Sequence, residues 1–326
     1  MSFLSDIIQY VRHEPCVYIQ THSYPDHDAI ASAFGLQELL AQCGVAAHIV
    51  YEGEIQRESL HRMISELRIE VRKASTVALE EGNKIIIVDG CKGNKNVAEL
   101  VGEEIAVIDH HAVGVTEDVP FVDIRPDYGS CSSIIYSYYR EMDKVVPRNV
   151  ATALMIGINM DTSLLTRGVN QWDVEAYANL YHIADVRLQN TILRNFIQTK
   201  DLSFYRFALE HVEITDGTAY CFFSDGCDQN LLGILGDFFL ALREVHFVVL
   251  CARNNTAVNF SLRNERDDCD ASRLLQDVLR GIGFGGGHRH MAGGVIPDVA
   301  RFNEPALREK FLDALRRPQA HEPPPV

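Results

Sequence analysis

Residues 16–28 read CVYIQTHSYPDHD, so an apolar, strand-like run leads directly into a segment rich in acidic residues and histidine. Two more blocks repeat this arrangement, since KIIIV is followed by Asp89 and EIAVI is followed by Asp109–His111. The carboxyl ends of parallel strands meet at one edge of an α/β sheet. We therefore expect the polar side chains of these blocks to lie close together, although they are far apart in sequence.

The same blocks predict a divalent metal centre. The first block supplies His22, Asp26 and Asp28, and a fourth block, with Asp161, follows the apolar run LMIGINM. Carboxylates gathered in one place repel one another unless a cation offsets their charge. Oxygen ligands together with two imidazoles suit Mn²⁺, Mg²⁺ or Zn²⁺. Taken singly, the acids have structural alternatives, because Asp28 could cap the following helix and Asp89 could be a turn residue.

Context excludes three common motifs. An EF-hand needs a further oxygen ligand and a glycine where Ile30 and Ala31 stand. A zinc finger needs a cysteine pair near the histidines, and the sequence has none there. The glycine pattern at 281–286 matches a dinucleotide-binding motif, but it follows a helix-like segment and not a strand, so we reject that interpretation.

The order of the predicted elements indicates an α/β fold. Short apolar strands alternate with amphipathic helices at 28–43 and 57–67, which predicts a mostly parallel sheet flanked by helices. Helical periodicity continues at 130–142, 150–158 and 172–182. The predicted strands of this first domain are CVYIQTH, AAHIVYEG, KIIIVDG, EIAVIDHH and FVDI.

A smaller α/β domain is predicted to follow. Its strands are TAYCFFS, VHFVVLCA and AVNFSLRN, and its helices cover 230–242 and 271–280. We expect the chain to divide into a catalytic domain at 1–185, a helical linker at 186–211, a substrate-binding domain at 212–316 and a disordered proline-rich tail at 317–326.

Composition limits the possible partners and location. The chain has 326 residues and a net charge of −15, which argues against a broad electrostatic grip on long duplex nucleic acid. Its eight cysteines form no C-x-x-C pair, and no apolar run reaches the ~18 residues that a membrane span requires. We therefore expect reduced thiols, no membrane partner and a cytoplasmic location.

Five blocks carry a resemblance to a known family. The segments THSYPDHDAIAS, IIIVDG, IDHH and NMDTSLL resemble the four motifs of the DHH phosphoesterases, in the family's order. The segment GFGGGHRHMAGG resembles the glycine-rich signature of the DHHA1 domain. Within the family, the chain looks most similar to the NrnA-type enzymes. These degrade very short oligoribonucleotides and, in some members, remove the 3′-phosphate from adenosine 3′,5′-bisphosphate.

The resemblance implies a site with two metal ions. One ion would be held by His22, Asp26 and Asp89, and the other by Asp28, Asp89, His110 and Asp161, so that Asp89 bridges them. Mn²⁺ is the favoured cofactor and Mg²⁺ the alternative. Such a pair activates a water and stabilises both the attacking and the leaving oxygen. Met160 stands where the family usually has Thr, which leaves Asp161 in place but changes its surroundings.

Further roles follow from the same resemblance. Asp109 would orient a metal-binding histidine through its ring N–H. His111 would act beside Asp89 and His110 in catalysis, as a donor to the substrate phosphate.

In the second domain, four residues are candidates for substrate binding: Arg263, Gly286, Gly287 and His288. Consecutive glycines let backbone N–H groups approach an anion. Two structural alternatives stay open. The glycines could form only a flexible turn, and Arg263 could be a strand residue that faces water.

The leading hypothesis is a two-metal phosphodiesterase acting on very short RNA or linear dinucleotides. The alternatives are an adenosine 3′,5′-bisphosphate phosphatase, a cyclic dinucleotide phosphodiesterase and, more distantly, a pyrophosphatase or exopolyphosphatase. A nucleotide-binding regulator with an inactive metal site is the non-enzymatic alternative. The expected partners are a short RNA or nucleotide substrate and, as one option, a second copy of the chain in a homodimer.

Overall fold

A computed structural model describes residues 3–55, 57–94, 96–112, 114, 118–194, 197–287 and 289–316. The chain divides into two compact units, Met1–Phe196 and Ile197–Val326. This division falls inside the segment predicted as a helical linker, and the exact domain bounds stay a prediction. The predicted tail at 317–326 lies outside the described residues.

The first unit is a parallel sheet with helices around it. Its strands are β1 (Val17–Gln20), β2 (Ala47–Tyr51), β3 (Val71–Lys73), β4 (Lys84–Val88), β5 (Glu103–Asp109) and β6 (Phe121–Ile124). Its helices are α1 (Phe3–Val11), α2 (His27–Gln42), α3 (Glu58–Leu67), α4 (Cys131–Glu141), α5 (Arg148–Asp161), α6 (Gln171–Tyr181) and α7 (Val186–Arg194).

All neighbouring strands of this sheet run parallel, in the order β3-β2-β1-β4-β5-β6. The predicted parallel sheet is confirmed. In strand β4 the four residues after Lys84 are all apolar, because Ile86 and Val88 belong to one hydrophobic core and Ile85 and Ile87 belong to a second core. Because alternate residues of a strand point to opposite faces, a strand covered on both sides has no polar positions.

The second unit contains a mixed sheet of six strands in the order β11-β12-β10-β9-β8-β7. Only β8 and β9 pair in parallel, and the other pairs are antiparallel. The strands are β7 (Glu213–Thr215), β8 (Thr218–Phe223), β9 (Phe247–Asn254), β10 (Ala257–Asn264), β11 (Phe284–Gly287) and β12 (Met291–Ile296). The helices are α8 (Leu202–His211), α9 (Gln229–Leu240), α10 (Ala271–Leu279) and α11 (Glu304–Arg316).

The glycine-rich segment is part of this sheet. Residues 284–287 form the edge strand β11, which pairs with β12, so the flexible-turn alternative is wrong for them. The turn at 281–283 follows α10 and precedes a strand, which is not the context of a dinucleotide-binding motif.

All eight cysteines are free. Within the described part of the chain, every helix is too short or too polar to cross a membrane.

Close packing of α5 connects the fold to the predicted site. At Gly157 of α5, a Cβ atom would lie 2.2 Å from Ser132 Oγ and 2.7 Å from Asp28 Oδ1. Asp28 and Ser132 are both fully buried, so neither can move into solvent. Glycine is therefore required where α5 approaches α2 and α4.

We expect Gly157→Ala to destabilise the protein by about 1–3 kcal/mol, as overpacked cores do. The clash outweighs the roughly 1 kcal/mol that alanine gains over glycine inside a helix. Urea denaturation followed by circular dichroism measures the change. The control is Gly82→Ala, because a Cβ there meets nothing within 4 Å. Equal stability of the two variants would show that α5 can withdraw from Asp28 at no cost.

Candidate metal centre

The four sequence blocks meet at one place in the first unit. His22 and Asp26 follow β1, Asp89 follows β4, and Asp109 is the last residue of β5. Strands β1 and β4 are neighbours, and the chain builds the sheet outward from them in opposite directions. Such a change of direction opens a crevice at the carboxyl ends of the strands, which is the usual ligand site of open α/β sheets.

Three groups of potential ligand atoms lie in this crevice, each with its atoms within 4.8 Å of one another. They are His22, Asp26 and Asp89; Asp28, His110 and Asp161; and Asp89, His110 and His111. All six side chains predicted as metal ligands occur in these groups. The structure thus brings the predicted residues together, and their role as ligands stays a prediction.

Asp89 belongs to two of the three groups. The distances from its carboxylate are 3.6 Å to His22 Nε2, 3.4 Å to His110 Nε2 and 3.9 Å to His111 Nδ1. As the turn-residue alternative predicts, Asp89 lies in the turn after β4, with a positive φ of 54°. Its side chain is nevertheless 2% exposed, so the turn places a carboxylate inside the crevice and not in solvent.

Two histidines are oriented by backbone carbonyls. His22 Nδ1 lies 2.9 Å from Ser23 O, and His110 Nδ1 lies 3.2 Å from Tyr128 O. A ring nitrogen that donates to a carbonyl carries the proton, which leaves Nε2 as the coordinating nitrogen. In both residues Nε2 is the atom that faces Asp89.

The two acids of the first block have different local roles. Asp26 is the N-cap of α2, and its Oδ1 accepts hydrogen bonds from the backbone N–H groups of Asp28 and Ala29. The alternative that Asp28 caps this helix is therefore wrong. Asp28 instead accepts hydrogen bonds from the N–H groups of Cys131 at 2.7 Å and Ser132 at 2.9 Å, at the start of α4. The positive end of α4 favours a carboxylate there.

Asp109 is fully buried and orients the DHH segment. Its Oδ1 accepts hydrogen bonds from the backbone N–H groups of His110 and His111, and it lies 2.7 Å from His111 Nδ1. It was predicted to orient a metal-binding histidine, and the histidine that it contacts through the side chain is His111. His111 is 31% exposed, unlike the buried His110.

The pKa values show how the charges compensate one another. Burial and the charges of Asp161 and Asp89 raise the pKa of Asp28, and burial and Asp26 raise the pKa of Asp161 to about 6. Burial disfavours the charged form of His110, but the carboxylates of Asp161 and Asp89 outweigh it and raise the pKa. The acids thus draw positive charge into the crevice, a role that a divalent cation fills more completely.

The donor set fits a divalent cation. Asp89 Oδ1 is buried and accepts no hydrogen bond from the described residues, which is costly for a carboxylate oxygen unless a cation lies beside it. Four carboxylates and two Nε2 atoms form a mixed oxygen and nitrogen set of the kind that binds Mn²⁺.

In the second unit, Arg263 lies on β10 and is 9% exposed, so it does not simply face water. Its Nε donates to Asp237 Oδ1 at 2.6 Å, and its Nη1 donates to Ser261 Oγ at 3.1 Å. A Cβ built on Gly286 would meet nothing within 4 Å. Gly287 has a φ of 140°, a backbone conformation that favours glycine. The fourth predicted residue, His288, lies outside the described residues.

Sequence reasoning missed the groups that hold the predicted side chains in place. The carbonyl of Tyr128 orients His110, and the N–H groups of Cys131 and Ser132 hold Asp28. These are backbone atoms, and they leave no signal in residue types. Asp237, which holds Arg263, is a single acid in the apolar segment LLGILGDFFL, and that isolation could have indicated it.

Comparison with known proteins identifies the two domains. Residues 16–158 match the model of the DHH family, N-terminal domain, and residues 216–317 match the model of the DHHA1 domain. The chain therefore contains a DHH domain followed by a DHHA1 domain. The expected fold class is confirmed.

Two proteins are similar to this chain in sequence. An uncharacterized protein of Methanocaldococcus jannaschii is 29% identical over 302 residues, which cover 91% of this chain and 62% of that protein. A probable manganese-dependent inorganic pyrophosphatase of Streptococcus thermophilus is 30% identical over 177 residues, covering 53% of this chain and 57% of that protein. The chain thus spans about three fifths of the length of these relatives.

One similar solved structure is an exopolyphosphatase-related protein from Bacteroides fragilis, with a TM-score of 0.78 and 17% identity. The match covers 96% of this chain and 95% of that one. At this identity the likeness shows the fold alone.

We expect Asp89→Ala to lower the Mn²⁺ content more than any other single change among the six predicted ligands, because Asp89 is the one residue predicted to bridge both ions and it belongs to two of the three groups. The thermal stabilisation that Mn²⁺ gives the wild type should fall with it, since only a bound ligand stabilises the folded state. Elemental analysis and melting curves with and without Mn²⁺ measure both effects. Asp118→Ala, which removes a 61% exposed carboxylate, is the control. Wild-type metal content in Asp89→Ala would remove Asp89 from the centre.

Proposed function

We propose that the protein is a metal-dependent phosphoesterase that uses two divalent cations, with Mn²⁺ favoured and Mg²⁺ as the alternative. The observation that carries this proposal is the convergence of His22, Asp26, Asp28, Asp89, His110 and Asp161 in one buried crevice. The name of the manganese-dependent relative, which is 30% identical over 177 residues, supports the choice of metal.

The residues of the crevice have separable roles in such a reaction. His22, Asp26 and Asp89 would hold one cation, and Asp28, Asp89, His110 and Asp161 the other. Bound divalent cations supply charge neutralisation for a phosphate and lower the pKa of a coordinated water. The buried Asp28 carboxylate is held by two backbone N–H groups, so this part of the site needs little rearrangement when a substrate binds.

His111 is the side chain best suited to contact the substrate phosphate. Burial opposes its charged form, but the hydrogen bond to Asp109 and the charge of Asp89 raise its pKa. Because Asp109 engages Nδ1, the protonated ring would donate from Nε2. An imidazolium donor at this place stabilises the negative charge that develops on a phosphate oxygen.

The substrates that we propose are very short oligoribonucleotides or linear dinucleotides, as in the NrnA-type group. The DHHA1 domain supplies Arg263, whose guanidinium geometry suits a phosphate. The net charge of −15 disfavours an extended polyanion. A cytoplasmic location belongs to the same proposal, and eight free cysteines are typical of a reducing compartment.

The activity is tested by incubating the purified protein and Mn²⁺ with five compounds: pApA, a five-nucleotide RNA, adenosine 3′,5′-bisphosphate, cyclic di-AMP and polyphosphate. Chromatography resolves the products. We expect pApA and the short RNA to be hydrolysed, and Asp161→Asn to reduce turnover strongly because it removes a ligand charge. Release of phosphate only from the bisphosphate would favour the phosphatase alternative. Absence of turnover on all five compounds, with Mn²⁺ bound, would favour a nucleotide-binding regulator.

We expect activity to peak on RNAs of two to five nucleotides and to fall steeply with length. Each added phosphate increases repulsion from the acidic protein, and this penalty should weaken as salt screens it. The measurement is the initial rate on RNAs of 2, 5, 10 and 24 nucleotides at low and high ionic strength. Processive degradation of the 24-nucleotide strand at the dinucleotide rate would contradict this expectation.

A further inference from the structure

One face of the second unit's sheet combines a cation, bare backbone and an exposed aromatic ring. Residues that pair directly across antiparallel strands point to the same face. Ser261 of β10 pairs with Gly293 of β12, and Gly293 pairs with Gly286 of β11. Two residues further along, Asn259 pairs with Val295, and Val295 pairs with Phe284. These two rows therefore share one face, and Arg263, two residues from Ser261, lies on it too.

Helix α10 covers the opposite face. A Cβ at Gly285 would lie 2.8 Å from Leu275 Cδ2, and a Cβ at Gly294 would lie 3.0 Å from the same atom. Gly285 and Gly294 alternate with the residues of the two rows, so they point away from them. Helix α10 thus covers the apolar face of β11 and β12, and Phe284, which lies on the other face, is not part of that core.

Phe284 is the unexplained residue of the shared face. It is 64% exposed, more than any other large hydrophobic side chain of the described second unit. Two glycines lie next to it on the same face. A Cβ built on Gly286 would meet nothing within 4 Å, and one on Gly293 would meet only the side-chain end of Gln229 at 3.6 Å and the carbonyl of Phe260 at 3.8 Å. The ring therefore borders a flat strip of backbone without side chains.

Arg263 supplies a fixed cation on this face. Its guanidinium is held by Asp237 and Ser261, and Gly233 and Gly236 of α9 leave room for it, with a Gly233 Cβ only 2.8 Å from Nη2. Strands β10 and β11 are separated by one strand, so they lie roughly 10 Å apart. Arg263 also lies four residues further along the strands than Phe284, roughly 13 Å, but its Nη1 reaches back to Ser261, which removes about half of that offset. A nucleotide, with a phosphate at one end and a base at the other, can span the roughly 12 Å that remain.

We propose that Phe284 is a specificity-determining residue that stacks on a nucleobase of the substrate while Arg263 binds a phosphate. This inference deepens the proposed function, on which it rests, by selecting base-bearing substrates over inorganic polyphosphates. A base presents a flat π-face to an aromatic ring whatever its identity, so the contact distinguishes nucleotides from inorganic phosphates without reading sequence. The glycine strip beside the ring leaves space for the ribose.

The test compares Phe284→Ala, Phe284→Leu and Phe284→Tyr with the wild type on pApA and Mn²⁺. Loss of stacking on a base typically weakens binding by roughly tenfold or more. We expect KM to rise about tenfold in the alanine and leucine variants with kcat within about twofold, the pattern of lost uniform binding. Tyrosine keeps the ring and should restore the wild-type KM. Ile214→Ala, at the other edge of the same sheet and 47% exposed, is the matched control.

A second readout does not depend on turnover. Calorimetry measures the binding of adenosine monophosphate and of inorganic phosphate to the full chain. We expect Phe284→Ala to weaken binding of the nucleotide at least fivefold and to leave binding of phosphate unchanged. Equal nucleotide affinity in the wild type and Phe284→Ala would overturn the inference, and so would an equal loss for both ligands. A wild type that binds the nucleotide through Phe284 but hydrolyses no phosphoester would contradict only the proposed function.

Discussion

In the first unit, buried carboxylates lie close enough together to repel one another, and the surrounding structure has to compensate their charge. Asp28 and Asp89 are almost inaccessible to water, and ligand atoms of Asp28 and Asp161 lie within 4.8 Å of each other. Like charges this close cannot all ionise without compensation. The fold compensates in part, with the N–H groups at the start of α4 and with the imidazoles of His22 and His110. The remaining negative charge is what a divalent cation would neutralise.

This constraint explains features that stability alone does not require. Glycine at 157 admits α5 beside Asp28, and a left-handed backbone at Asp89 directs that carboxylate inward. Backbone strain of this kind persists only where the surroundings enforce it, and it is common at functional sites. The DHHA1 unit shows a similar arrangement around Arg263, where Gly233 and Gly236 give the guanidinium space and Asp237 fixes its direction.

Much of the fold could be predicted because the elements of the first unit follow simple patterns. Strand β4 is a run of four apolar residues after Lys84, and α4 and α6 begin and end within one residue of the expected positions. Strand β3, with the sequence VRK, was missed because three residues with two charges carry no strand periodicity. Helix α1 was not predicted either. In the site, residue types revealed the side chains, but the carbonyl of Tyr128 and the N–H groups of α4 became visible only through tertiary structure.

In the proposed metal centre, the six converging side chains would hold two cations that share Asp89. Anomalous diffraction from crystals grown with Mn²⁺ tests it directly, because the ion positions are seen without assuming ligands. We expect two anomalous peaks, one beside His22 and Asp26 and one beside Asp28, His110 and Asp161, with the Asp89 carboxylate beside both. A single peak that does not contact Asp89, or ordered ions only elsewhere on the chain, would contradict it.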